Sequence, residues 1–214
     1  MLYVNTRQWE RLETWTDTVF LVAGVSFLGA TVFLIINRFL GGIGTAGQVI
    51  EAVFYITALM GLAVGLLGFY PRVNDQSPRL ALVGLAFAAI TVLGYVGMVV
   101  WAVLGVVLEV VSLPGDGLAV VLFVLLLVGS LVFGGISARS GVPSRSVGIL
   151  LLGIAATFGG YMGVFAVVGI NPPDWLPATV GGIFTVLTLA IGYGLRTASR
   201  PTGRTEPTPT GGSS

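Results

Sequence analysis

The sequence predicts an all-α integral membrane bundle of six transmembrane helices, with both ends of the chain on the cytoplasmic side. Three observations carry this. Of the 214 residues, 55% are hydrophobic and only 9% charged, whereas a soluble domain carries about 25% charged residues. Charged side chains divide the chain into six long uncharged runs. If each run is one span, nearly all the arginines fall on the same side of the bilayer.

The runs are 18–37, 52–71, 80–108, 117–138, 146–173 and 175–195. A helix needs roughly 20 apolar residues to cross a hydrocarbon core about 30 Å thick. A charge at mid-membrane costs about 2.5–3.5 kcal/mol on insertion scales, so uncharged runs are the natural spans. The third and fifth are the longest, but two spans and a turn would need more than about 40 residues. Each is read as one tilted or overlong helix, or as a helix with an interfacial extension. The third stops before the Ser112-Leu113-Pro114-Gly115 breaker, and Asn171-Pro172-Pro173 stops the fifth.

Orientation follows from the charges. Arg7 and Arg11 precede the first span, and Arg72 and Arg79 join spans two and three. Arg139 and Arg145 join spans four and five, while Arg196, Arg200 and Arg204 follow the sixth. The opposite side has Arg38 beside Glu51, Glu109, Asp116 and Asp174. Arginine is retained in cytoplasmic loops, so the arginine-rich side is expected in the cytoplasm of a cell-membrane protein. The first run is too long for a signal-peptide core, acids precede it, and no Ala-x-Ala site follows.

Segment 1–17 is expected to be cytoplasmic, with Trp9, Leu12 and Trp15 at near-helical spacing. It reads either as a short interfacial helix or as an ordered turn leading into span one. Segment 196–214 is rich in Pro, Thr, Gly and Ser without apolar periodicity, and is expected to be a disordered cytoplasmic tail.

Composition also excludes chemistry. Without cysteine there is no disulfide, thiolate nucleophile or cysteine-ligated cluster, and without histidine no imidazole acid–base group. No cofactor or metal site is expected. All ten basic residues are arginine. With the Val/Gly/Ala/Leu bias, this composition resembles that of small multi-pass membrane proteins of halophilic archaea. The resemblance runs along the whole chain and implies a source rather than an activity.

A shift of 66 residues lays span five on span three. Arg79, Leu85, Ala89, Thr91, Gly94, Tyr95 and Gly97 then match Arg145, Leu151, Ala155, Thr157, Gly160, Tyr161 and Gly163. The match suggests a weak parallel hairpin repeat, an arrangement some transporters use. Thr and Tyr four residues apart share a helix face. Thr91, Tyr95, Thr157 and Tyr161 are therefore either a packing face or the lining of a small intramembrane polar pocket.

A second candidate cluster, Arg38, Glu51, Glu109 and Asp174, gathers at the arginine-poor side. Glu51 stands out because tilt could carry it into the membrane, where an ionisable group marks a functional candidate. The segment Gly42-Ile43-Gly44-Thr45-Ala46-Gly47 matches GxGxxG, but a dinucleotide site needs a preceding strand, so flexibility in a tight loop is its expected role. Gly61/Gly65 and Gly159/Gly163 have the spacing that lets helices cross closely.

No span carries a mid-membrane charge, which argues against a proton-coupled machine. No basic patch supports nucleic-acid binding. The expectation is a non-enzymatic structural, accessory or lipid-interacting protein. Membrane lipid is its environment, and a protein partner or a second copy is a further candidate. The alternative is a small transporter or channel-like protein.

Overall fold

A computed structural model describes residues 6–108, 116–168, 173 and 175–198. Among these it is all-helical, with six elements: α1 (Thr6–Phe39), α2 (Thr45–Val73), α3 (Pro78–Leu108), α4 (Asp116–Ser140), α5 (Arg145–Val168) and α6 (Trp175–Ala198). All six are long and apolar enough to cross a membrane. The helix starts at Thr6, so the Trp9–Trp15 segment is continuous with the first span rather than set apart from it. Most of the C-terminal tail, with Glu109 and Asp174, lies outside the described residues.

Local chemistry sets the ends. Pro78 opens α3, where a missing amide hydrogen costs nothing. The Ser144 hydroxyl accepts from the Val147 amide at 3.2 Å, capping α5. Gly141, at φ 74°, turns the chain out of α4, its amide donating to the Ser137 carbonyl at 2.9 Å.

Each helix packs on its neighbours in sequence, and α6 returns to α1, so the bundle is a closed ring. The helices α2 and α4 also touch across it. That contact sets α3 outside, leaving a five-membered ring of α1, α2, α4, α5 and α6. Helix α3 is accordingly the most lipid-facing, exposing Leu82, Ile90, Leu93, Val96 and Val100.

Lipid supplies no hydrophobic drive between helices, so close packing must hold them together. Gly61 lies against Ala23 and Gly65 against the Phe20 ring, which joins α1 to α2. Gly148 lies directly on the backbone of Ser137 and Ala138, which joins α4 to α5. In the second glycine pair, Gly159 makes an ordinary contact with Leu127 and Gly163 faces open space, so that pair is not a crossing point.

Exposed aromatic residues mark two levels on the outside. Trp15 and Tyr193 lie toward the arginine-rich end, and Trp101 and Trp175 toward the other. Trp and Tyr are enriched where helices pass through lipid headgroups. From Trp15 to Arg38, α1 rises about 35 Å at 1.5 Å per residue, a little more than the hydrocarbon thickness.

A candidate ligand cleft at the arginine-poor end

At its arginine-poor end the five-helix ring forms an open cleft of about 830 Å³. Every one of the five helices lines it, and α3 contributes nothing. Its mouth carries Asn37 and Arg38 from α1, with Gln48 and Glu51 from α2. Deeper in are Tyr55 from α2 and Tyr161 from α5, with apolar walls from Leu34, Ile56, Val120 and Phe123.

Beneath the cleft, as its floor, runs an unbroken chain of aromatic rings, of which the two end members, Tyr55 and Phe123, are in the cleft lining. Tyr55 meets Phe27 edge-on at 6.0 Å between ring centroids. Phe27 stacks on Phe184 at 5.4 Å, Phe184 packs on Phe158 at 4.4 Å, and Phe158 meets Phe123 at 5.2 Å. In that order the rings belong to α2, α1, α6, α5 and α4, one from each helix of the five-membered ring. Phe27 lies about 15 Å along α1 from Asn37, so the floor falls near mid-membrane. Beneath it the core is filled by Phe20, Phe69 and Phe133 with Leu62, Leu66, Leu126 and Leu151, all fully buried or nearly so.

The mouth is organised by the loop between α1 and α2. The amides of Leu40 and Gly42 both donate to the Ile36 carbonyl, at 3.2 and 3.1 Å, closing the end of α1. Gly41, Gly42 and Gly44 have φ of 88°, 71° and 68°, a region that side chains with a Cβ rarely adopt. Gly47 serves a different purpose. A Cβ there would fall 2.5 Å from Asn37 Oδ1, so glycine lets Asn37 reach across to α2. The Asn37 amide then donates to Glu51 Oε2 at 2.8 Å and holds the carboxylate in place. The GxGxxG segment follows a helix rather than a strand, and its glycines shape this mouth.

Of the charge cluster expected from sequence, Arg38 and Glu51 both line the cleft. Of the four-residue Thr/Tyr face, Tyr161 is the member that lines this cleft. Helix α4 lies between α3 and α5, so the faces carrying Thr91/Tyr95 and Thr157/Tyr161 do not pack together. Both threonine hydroxyls donate to their own helices, Thr91 to the Phe87 carbonyl and Thr157 to that of Gly153, each at 2.8 Å. Tyr161 lines the cleft, whereas Tyr95, 3% exposed, belongs to the buried core.

Sequence reasoning missed Asn37, Gln48, Tyr55 and the aromatic floor. Asn37 had a signal, as a polar residue at the end of an apolar run beside Arg38. The phenylalanines had none, since a ring in an apolar span reads as ordinary packing. Among the described residues no group of three acidic side chains is placed to hold a metal ion. No protein-family model, curated protein or solved structure matches this chain.

Proposed function

We propose that this polytopic membrane protein sits in the cell membrane with both termini in the cytoplasm. In that orientation the cleft opens on the outer face and binds an amphipathic, lipid-like ligand without transforming it. The orientation rests on the arginine distribution, with Arg72, Arg79, Arg139 and Arg145 at the end opposite the cleft. The binding role rests on one observation: a five-helix vessel, polar at its mouth and aromatic at its floor. Its volume lies within the range of about 300–1,000 Å³ typical of small-molecule sites. A polarity gradient along depth suits a molecule with a polar head and an apolar chain. Among the described residues the Glu51 carboxylate is held by the Asn37 amide, an arrangement that fixes it as an acceptor for a ligand.

The test is purification in mild detergent followed by native mass spectrometry of what is retained. Ala52 lines the cleft and is exposed there, so Ala52→Trp fills the cleft without touching the core. A bound amphipath present in the parent protein and lost in the variant supports the reading. Equal retention by both would place the ligand elsewhere and sink it.

Transport of the same ligand is the second reading, favoured by a specific feature of α4. Ser130 and Ser137 lie on one face of α4, fully buried and without hydrogen-bond partners among the described residues. Ser137 adjoins Ile136, which lines a second cavity of about 440 Å³ at the arginine-rich end with Gln76 and Arg139. Flux of the retained amphipath across liposomes distinguishes transport from binding.

A further inference from the structure

We infer that the second cavity, between α3 and α4 at the arginine-rich end, seats the phosphate of an anionic phospholipid, with one of its chains lying along the lipid-facing groove below. This site is at the opposite end of the bundle from the aromatic-floored cleft and does not depend on what that cleft holds.

The cavity, of about 440 Å³, forms where the α2–α3 connection and the start of α3 meet the end of α4. One face of α4 gives it its shape. Leu131, Gly135 and Arg139 follow one another at four-residue spacing, share that face and line the cavity. A Cβ at Gly135 would meet nothing within 4 Å, so the glycine leaves a gap between an exposed leucine and an exposed arginine. Leu80, exposed at the start of α3, lines the same gap. Leu131 lies about 12 Å along α4 from Arg139, far enough to reach from headgroup level into hydrocarbon. A site that runs from polar groups to lipid-facing leucines suits a phosphate that carries a chain.

The polar end is a set of donors. The Arg139 guanidinium has no ion-pair or hydrogen-bond partner among the described residues, and the same holds for the Gln76 amide and the Ser77 hydroxyl. All three line the cavity. A guanidinium, an amide and a hydroxyl can each donate, and phosphate oxygens accept from all of them. Ser77 precedes Pro78, the first residue of the 31-residue α3, so the positive end of a helix dipole stands beside the same donors. Asp75, in the same connection, is exposed and outside the lining, which leaves Arg139 as the charge that the cavity itself presents. Helices α1 and α6, which lead to the chain ends, have their neighbours in each other, α2 and α5.

Three probes test the assignment: phosphatidylglycerol, phosphatidylcholine with the same chains, and glycerol phosphate, which has no chain. Each is titrated against the full-length protein in mild detergent, and the first bound molecule is followed by native mass spectrometry. Phosphatidylglycerol should bind about tenfold more tightly than phosphatidylcholine, whose ammonium would meet Arg139, and glycerol phosphate should not bind over the same range. Arg139→Gln should remove the preference between the two lipids. Arg145→Gln takes an exposed arginine from the same end but not from the lining, and should leave the preference intact. Gly135→Phe keeps every charge, fills the gap and should weaken phosphatidylglycerol binding about tenfold. Arg139 is exposed, so its variant stays informative even if Gly135→Phe disturbs the packing of α4. Equal loss of preference in both arginine variants would mean a diffuse positive rim and overturn the site. Unchanged binding in a folded Gly135→Phe would overturn it as well. Glycerol phosphate binding as tightly as phosphatidylglycerol would replace the lipid with a free phosphate ester and overturn the assignment.

Discussion

Replacing Phe184 by alanine removes the middle ring of the floor. Phe184 is 1% exposed and packs on Phe27 at 5.4 Å and on Phe158 at 4.4 Å. In a water-soluble core a Phe→Ala change costs about 3–5 kcal/mol, because transfer out of water adds to the cavity left behind. In a bilayer the transfer contribution largely vanishes, since a separated helix keeps its phenylalanine in hydrocarbon. What remains is packing: two aromatic contacts at about 0.5–1.5 kcal/mol each, or about 1–3 kcal/mol together. Equilibrium unfolding in mixed lipid–SDS micelles, followed by tryptophan fluorescence, measures the loss. The variant should also accept a longer alkyl chain than the parent, because the cleft deepens where the ring stood. A loss above about 4 kcal/mol would refute the lipid-reference argument. A loss below about 0.5 kcal/mol, with chain-length preference unchanged, would mean that the rings do not close the cleft.

Gly148→Ala should destabilise the protein by about 1–3 kcal/mol in the same assay, because its new Cβ meets the Ser137–Ala138 backbone, which cannot move aside as a side chain could. Gly163→Ala, at a position facing open space, should be neutral or slightly stabilising. Tyr95→Phe should leave stability unchanged or raise it, since it deletes a buried hydroxyl that has no hydrogen-bond partner among the described residues; a loss above about 1 kcal/mol would reveal a partner. The chain contains no cysteine, so single substitutions report topology directly. On intact cells a membrane-impermeant maleimide should label Thr45→Cys and spare Gln76→Cys, and the reverse pattern would place the cleft on the cytoplasmic side.

The six spans were legible because the signal is coarse. Runs such as 117–138 are long, uncharged and bounded by charge, and helix formation follows once the backbone has no water to bond. Boundaries were less legible. Charge-based reading started the first and second spans at 18 and 52, whereas α1 begins at Thr6 and α2 at Thr45. Helices extend beyond the hydrocarbon, where charged residues such as Asp17 and Glu51 are tolerated. Neighbour relations were not legible at all. The 66-residue offset drew attention to α3 and α5, yet α4 separates them, and no local pattern foretold the contact between α2 and α4 that sets α3 aside. The cleft was half legible: Arg38 and Glu51 stood out as charges at a span boundary. The amide that orients Glu51 depends on Gly47 being small enough for Asn37 to pass, a relation visible only in three dimensions.

The same arrangement bears on whether the cleft is a vessel or a passage. Transporters commonly build midplane sites from interrupted helices, whose freed backbone groups supply polarity. Here the five helices around the cleft are each continuous, and a ring from every one of them meets at the floor. Opening the floor would therefore require movement shared among five elements, against contacts that interlock from Tyr55 through Phe184 to Phe123. Moving one helix would break at most two of these ring contacts and leave the rest in place. The hydroxyls of Ser130 and Ser137 lie among fully buried side chains, with Leu126 and Phe133 beside them on the same helix. On the binding reading proposed above, a ligand seated above five interlocked rings would be held from one side only, and that geometry favours retention over passage. Floor variants such as Phe184→Ala are consequently the ones in which any flux should first appear.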